Sequence, residues 1–442
     1  MNFQESVRYL FSLGRELAAP TQAAAAKFSL ENITILAKSL GHPEQKYLSI
    51  HIAGTNGKGS TAAFLESILR HAGYRTGLYT SPHLERINER IRVSGQEIPD
   101  AAFARVFSQI HHTIEQLLAD GTLRAHPTFF ECVTAVAFRY FRDADVQFAV
   151  FETGLGGRLD ATNIVTPEVS VITRIDFDHE NFLGHALQEI AGEKAGIIKQ
   201  GVPVVIAEQR REVRDVLVAK ARELKSPLVE TLAAFAVESQ EMVDGRVRAR
   251  LQEVASGTLF DLAPQLAGRF QLQNALNAIA AARLLQPRGA GIDDVAIETG
   301  IAKAVWPGRI EKVQSAPEIY LDGAHNPSAA RELAVFLDQN LAGRRIIMIF
   351  GALRDKAVDE VAGVLFPLAS EVIFTEPRNP RAISASQLAE IAGHHVAKFE
   401  IVPNAEEALR VAWSRATPAD VICVTGSLYL VGELRHHWRP VA

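Results

Sequence analysis

The sequence predicts two consecutive α/β domains, each built on a mostly parallel sheet. Three observations carry this. Short apolar runs alternate with helical periodicity along nearly the whole chain. A glycine-rich turn, Gly54-Thr55-Asn56-Gly57-Lys58-Gly59-Ser60, sits between the apolar run Tyr47 to Ile52 and the helical run Ala62 to His71. That is the strand–turn–helix layout of a phosphate-binding loop. Near Lys303, after a turn and a short helix, the alternation begins afresh, which divides the chain into residues 1–302 and 303–442.

The first 46 residues read as helical. Val7, Leu10, Phe11 and Leu13 recur near helical spacing, as do Leu30, Ile33, Leu36, Ala37 and Leu40, with Pro20 and an Ala-rich link between them. Gly41-His42-Pro43 ends the second helix before the loop strand. In the loop, three glycines let the backbone turn its N–H groups toward an anion. The helix N-terminus adds partial positive charge, and Lys58 a full one. The common pattern G-x-x-x-x-G-K-[ST] is not met: its first glycine falls on Ile52, and Gly59 stands where a metal-holding hydroxyl is expected. A metal needed here has to find its ligands elsewhere in the chain.

Those ligands are sought at the carboxyl ends of the following strands, where open α/β sheets bind ligands. Arg75 to Thr80 reads as a strand that runs into Ser81-Pro82-His83-Leu84 and then a charged loop, Glu85 to Arg92. Asp100 to Ala119 reads as a helix. Thr128 and Glu131 fit a capping box opening a helix to Phe141. Val146 to Phe151 ends in Glu152 and a glycine turn, Gly154-Leu155-Gly156-Gly157. A dinucleotide fingerprint fails there, because Leu159 occupies its last glycine. Val169 to Ile175 ends in Asp176-Phe177-Asp178-His179. Helix Ile190 to Ile198 carries Lys194. Strand Val202 to Ala207 and helix Glu212 to Leu224 follow. Alternation from Leu228 to Leu262 reads as a small antiparallel patch, and Gln271 to Leu285 as a helix. Beyond Lys303, strands Ile319–Leu321, Arg345–Phe350, Glu371–Thr375 and Val421–Thr425 alternate with helices.

Composition excludes several classes. The chain has 442 residues and a net charge of −5, with no basic face for nucleic acid. Its two cysteines, Cys132 and Cys423, are distant and lack metal-ligand spacing, which fits reduced core thiols in the cytoplasm. No apolar run reaches bilayer length, and the N-terminal segment lacks a signal-peptide core.

Eight blocks then give a family likeness. They are Gly54–Ser60, Thr80–Leu84, Glu152–Asn163, Asp178-His179, Gly192-Glu193-Lys194-Ala195-Gly196, Trp306-Pro307-Gly308-Arg309, Asp322-Gly323-Ala324-His325-Asn326-Pro327 and Thr425–Leu430. In this order they resemble folylpolyglutamate synthase, of the bacterial type often combined with dihydrofolate synthase activity, within the Mur ligase superfamily. The likeness implies a central-type Mur ligase domain with a folate site, followed by a Rossmann-like glutamate-ligase domain. It implies a reaction in which ATP phosphorylates a folate or dihydropteroate carboxylate and the amine of L-glutamate displaces phosphate.

Site residues follow from the likeness. Asn56, Gly57, Lys58, Gly59 and Ser60 hold ATP, with Asn274, Arg309 and Asp322 as further nucleotide contacts. Ser81, Glu152 and His179 hold Mg²⁺, and a carbamylated Lys194 reaches a second Mg²⁺. Lys58, Lys194 and His325 are the catalytic candidates. His325 and Ser427 lie on the glutamate side, and Phe28, Ser29, Thr128, Phe129, Phe130, Leu159 and Asp160 on the pterin side. Phe28-Ser29 and Thr153 depart from the family's usual residues. The likeness leans to a monomer that closes on its substrates. Two rivals stay open: a Mur-type ligase acting on another carboxylate, and a nucleotide-hydrolysing switch. A dehydrogenase ranks behind both.

Overall fold

The computed structural model describes residues 1–14, 29–286, 289–354 and 356–438. The predicted Ala-rich link, with Pro20 and Phe28, lies outside them. The two-domain α/β expectation holds. The first domain is organised by an eight-stranded sheet. From one edge its strands are Gln96–Glu97, Ile91–Val93, Thr76–Tyr79, Phe148–Glu152, Leu48–Ala53, Val169–Ile172, Val204–Ile206 and Leu228–Glu230. The six from Thr76–Tyr79 onward run parallel. Leu48–Ala53 lies at the centre and is buried after Leu48, which is why it reads as a continuous apolar run.

Helix Asp100–Ala119 covers its predicted range, as does Gln271–Leu285. Thr128 caps Phe129–Asp143 as read: its Oγ1 accepts the Glu131 N–H at 3.3 Å, and Glu131 Oε2 accepts the Thr128 N–H at 2.8 Å. Three readings need correction. The loop helix starts at Lys58, not Ala62, because Gly57 at φ 86° turns the chain straight into it. The charged segment Glu85 to Arg92 is not all loop; it holds a 3₁₀ turn, Ile87–Arg90, and leads into the antiparallel strand Ile91–Val93. Three residues with Arg92 in the middle, one strand in from the sheet edge, display no period, so their sequence hides them. The antiparallel patch starts at Phe235, not Leu228, and comprises Phe235–Val243, Arg246–Glu253 and Leu259–Leu262. Leu228–Glu230 joins the large sheet instead; three residues are too few to display a period. In Arg246–Glu253 the buried Val247, Ala249 and Leu251 pack toward the helix Gln271–Leu285.

The second domain is a six-stranded sheet, in the order Glu311–Ser315, Glu318–Leu321, Val421–Thr425, Ile346–Phe350, Glu371–Glu376, Phe399–Asn404. Five strands are parallel; Glu311–Ser315 is antiparallel. The two outermost strands escape the sequence pattern because edge strands tolerate charge. Helix Leu428–Arg435 rests directly on the first domain. A Cβ at Gly432 would sit 2.0 Å from the Leu84 carbonyl oxygen, and Arg435 pairs with Glu85 at 3.3 Å. The carboxyl ends of both sheets thereby face one cleft. Among the described residues no helix is long and apolar enough to cross a membrane.

Candidate active site

The glycine-rich loop is shaped by contacts that tolerate no side chain. A Cβ at Gly54 would lie 1.8 Å from Thr173 Oγ1, one at Gly57 2.3 Å from Asn274 Oδ1, and one at Gly59 2.7 Å from the Trp306 indole nitrogen. The Thr55 and Asn56 N–H groups both donate to the Arg174 carbonyl, at 3.0 and 3.2 Å. They are turned away from a bound anion, which narrows the expected amide cradle. The first turn of the helix from Lys58 through Ser60 supplies the N–H groups that have no intrahelical acceptor. Lys58 Nζ donates to the carbonyls of Gly54 and Thr55, each at 3.1 Å. Burial pulls its pKa down, while Glu152 and Asp178 act the other way.

Glu152 ends its strand 4 % exposed and accepts the Ser81 N–H at 3.1 Å. Burial pushes its carboxyl up against the charges of Lys58, Arg309 and Arg90. A buried carboxylate beside a serine at adjoining strand ends is a donor pair suited to a hard divalent cation. His179 follows the strand Val169–Ile172, across the central strand from Glu152, at φ 52°. Its Nε2 lies 3.3 Å from Lys356 Nζ of the second domain. Lys356 also donates to Asp178 Oδ1 at 2.7 Å. Burial alone would raise Asp178, but Lys356, His179 and His325 outweigh it and hold the carboxyl well below the usual range.

Asp178 is the junction of the two domains. Asn326 Nδ2 donates to its Oδ2 at 3.3 Å, and His325 Nε2 lies 3.6 Å from the same oxygen. Asn326 and Asn56 exchange reciprocal amide bonds at 3.1 and 3.3 Å. His325 Nδ1 donates to the Gly323 carbonyl at 2.7 Å, so both ring nitrogens face acceptors. Lys194 is 4 % exposed and donates to the Gly54 carbonyl at 2.8 Å. Burial first, then the Lys58 charge, brings its pKa down to about 7.

Other expected residues take distinct places. Asn274 packs on Gly57, and its Nδ2 donates to Gln271 Oε1 at 3.0 Å. Arg309 is within reach of the charges of Asp322 and Glu152, and burial holds its pKa down against them. Asp322 is consumed by the backbone: its oxygens accept the N–H groups of Ile310 and Ala324, both at 2.8 Å. Ser427 caps helix Leu428–Arg435 through the Tyr429 N–H at 3.1 Å. Asp160 is likewise used internally. It accepts N–H groups from Gly154, Leu155 and Thr162 and the Thr162 hydroxyl, and so shapes the glycine turn next to half-buried Leu159. Ser29 accepts the Glu31 N–H at 3.3 Å and is exposed.

The aromatic pair splits. Phe130 closes on Gly154, whose added Cβ would meet its ring at 2.6 Å. Phe129 stacks on Phe11 at 5.6 Å and lies under the Arg90 guanidinium at 5.4 Å. A cleft of about 400 Å³ is lined by Phe11, His83, Arg90 and Phe129 from the first domain and by Arg378 and Tyr429 from the second. The structure therefore gathers Lys58, Glu152, Arg309 and the Asp178–His179 pair around one centre. It keeps Ser29 and Thr128 at backbone duties. Sequence reasoning missed Lys356, Asn326 and Arg90. Lys356 lies just past the end of strand Ile346–Phe350, so the strand-end rule that found Glu152 applies to it as well.

Comparison with known proteins now decides the family. The Mur ligase middle domain matches residues 52–282, and the Mur ligase glutamate ligase domain residues 308–428. A Bacillus subtilis dihydrofolate synthase/folylpolyglutamate synthase is 39 % identical over 398 residues, 90 % of this chain and 91 % of the relative. The chain belongs to the folylpolyglutamate synthase family of Mur ligases. Its members of known structure agree in shape. Mycobacterium tuberculosis folylpolyglutamate synthase complexed with ADP superposes with a TM-score of 0.90 at 32 % identity, over 99 % of this chain and 98 % of that one. Escherichia coli FolC in complex with DHPP and ADP gives 0.86 at 30 % identity, over 99 % and 97 %. The matched domains and relatives are those of an ATP-dependent ligase, so the switch and dehydrogenase readings fall away.

Proposed function

We propose that this chain joins L-glutamate to the carboxylate of a folate or of dihydropteroate at the expense of ATP, through an acyl phosphate. The observation that carries this is the charge cluster spanning the cleft: Lys58 and Glu152 of the first domain within electrostatic reach of Arg309 and Lys356 of the second. Two anionic reactants have to be brought together, and cations converging from both domains do that. The relatives solved with ADP, and with DHPP and ADP, support a nucleotide and a small carboxylate as ligands.

Lys58 and the first turn of its helix bind the phosphates. Asn274 and Arg309 border the nucleotide. Asp322 acts by holding the Ile310 and Ala324 backbone, and Asp160 by holding the turn above it. Phe129, held between Phe11 and Arg90, and Phe130, packed on the glycine turn at Gly154, border the pterin side. Ser81, Glu152 and His179 are the residues that would hold Mg²⁺, with Lys194 as a carbamate for a second ion; Mg²⁺ would supply charge neutralisation at the phosphoryl oxygens. A buried lysine whose pKa is about 7 carries the neutral amine that CO₂ requires, which supports that modification. Lys356 leaves His179 for the imidazole to serve as a ligand. In the first step the acceptor carboxylate attacks the γ-phosphorus and ADP departs. In the second the glutamate amine attacks the acyl carbon, phosphate departs, and the amine gives up a proton. Ser427 and His325 border the glutamate side. For His325 to take that proton it first gives up Asp178, which Lys356 can retain.

We place the division at residues 1–302 and 303–442, and read the enzyme as a cytoplasmic monomer. The deciding experiment is product analysis with dihydropteroate and with tetrahydrofolate, each with ATP, Mg²⁺ and glutamate. New amides heavier by one glutamate, with stoichiometric phosphate, are expected. ATP turnover independent of glutamate, or amides formed only with UDP-linked peptides, would overturn the reading.

A further inference from the structure

Outside the charge cluster of the candidate site, three groups of side chains among the described residues have metal-ligand spacing: His111–Glu115–His126, Asp359–His394–His395 and Glu406–His436–His437, the last bordering the cleft. In the last two the histidines are sequence neighbours on one 3₁₀ turn, with tilted rings whose centres lie 3.9 and 4.2 Å apart. The first group differs. His111 and Glu115 lie one turn apart on a single face of helix Asp100–Ala119, and His126 arrives from the separate turn before Thr128. Residues at i and i+4 on a helix present two ligands to one point.

Two details of the ring nitrogens favour a metal. His126 Nδ1 donates to the Pro127 carbonyl at 2.7 Å. That bond sets the tautomer and leaves the Nε2 lone pair outward, the arrangement that backs metal-bound histidines. Nε2 meets the Tyr9 hydroxyl at 3.0 Å, a contact a cation can displace. His111 Nδ1 is buried and has no hydrogen-bond partner among the described residues, with the Glu115 carboxylate 3.8 Å away.

We propose that His111, Glu115 and His126 form a binding site for a zinc-type divalent cation that clasps helix Asp100–Ala119 to the turn carrying Thr128 and Phe129. The ligand atoms lie within 4.8 Å of one another. Tetrahedral zinc holds its ligands about 3.3 Å apart, so each pair closes by at most about 1.5 Å, within side-chain rotation. Two imidazoles and a carboxylate leave a fourth position for water. Burial lowers the His111 pKa, which keeps the ring neutral and ligand-competent near pH 7. Occupancy breaks the Tyr9–His126 bond. Tyr9 shares helix Phe3–Ser12 with Phe11, which stacks on Phe129 in the cleft wall. The site thus couples a surface cation to the wall of the substrate cleft, and the binding claim stands whichever carboxylate the cleft accepts.

The test uses the full chain, stripped of transition metals and held in Mg²⁺. Zinc is titrated against a chromophoric zinc indicator. One tight site per chain is expected, with affinity roughly tenfold or more weaker in Glu115→Gln and in His126→Gln. His394→Ala and His436→Ala leave that site unchanged. Cobalt substitution gives visible d–d absorption that Glu115→Gln loses. The Glu115 side chain is 55 % exposed, so that variant folds even where His126→Gln does not. A folded Glu115→Gln protein with wild-type zinc affinity, or a site lost on changing His394 or His436, overturns the proposal.

Discussion

Replacing Lys194 by methionine is expected to stabilise the protein while abolishing its activity. The side chain is 4 % exposed, and its pKa falls from 10.5 to about 7. The sign follows from proton counting. Between about pH 7 and pH 10.5 the unfolded chain holds a proton at this lysine that the folded chain lacks. Folding stability therefore rises with pH by about 1.4 kcal/mol per unit across that window. Below it both states are protonated, and the buried charge costs about 5 kcal/mol. Methionine has similar length and no charge, so it removes that cost. It also removes the bond to the Gly54 carbonyl, worth about 1 kcal/mol. The net expected gain is about 4 kcal/mol at pH 6.5, shrinking steadily toward pH 10. The assay is urea unfolding of both proteins from pH 6.5 to 9.5 in bicarbonate-free buffer. Adding bicarbonate with Mg²⁺ is expected to stabilise the wild type alone. Parallel stability curves for the two proteins over that range would refute the reasoning, because they would mean Lys194 titrates as an ordinary exposed lysine.

Three further outcomes are expected. Gly54→Ala places a Cβ 1.8 Å from Thr173 Oγ1, so the loop must shift; a loss of about 2–3 kcal/mol in urea unfolding and of ATP binding by calorimetry is expected. Lys356→Met removes the cation 2.7 Å from Asp178 and strands a buried carboxylate. A loss of about 3 kcal/mol in stability and at least about a hundredfold in kcat is expected, and wild-type turnover in the variant would remove Lys356 from the site. The second domain is expected to close further when nucleotide and folate enter, rearranging the Asn56–Asn326 and Asp178–Lys356 contacts. A smaller scattering radius for the fully liganded protein than for the free one is expected, and equal radii would count against closure.

Much of the fold was legible because its cause is local. Helix Asp100–Ala119 buries one face, and its periodicity records it, whereas Gln271–Leu285 is buried nearly all round and reads as a long apolar, Ala-rich run. The central strands are buried on both faces and read as unbroken apolar runs. The edge strands Glu311–Ser315 and Phe399–Asn404 were illegible because solvent on one side permits charge and polar residues, and Ile91–Val93, one strand in from the edge, because three residues show no period. Leu228–Glu230 was drawn into the wrong sheet, since a three-residue strand shows no period and its neighbour is chosen by pairing. In the candidate site, Lys58 was marked by the glycine loop, and Ser81, Glu152 and His179 by their positions at strand ends. Asp160, Asp322 and Ser427 came from family likeness, and their side chains turn out to hold backbone.

By itself the sequence determined the order of strands and helices, the glycine loop with its lysine, and membership of a family whose motifs recur in order. Those are properties of short segments, set by side-chain size, backbone freedom and periodic burial. Tertiary structure alone decided that Lys194 meets the Gly54 carbonyl across 140 residues and that Lys356 meets Asp178 across 178. Burial and charge at those meetings come from neighbours distant in the chain. The reactivity of a lysine therefore depends on where the sheets bring it, which no local pattern encodes.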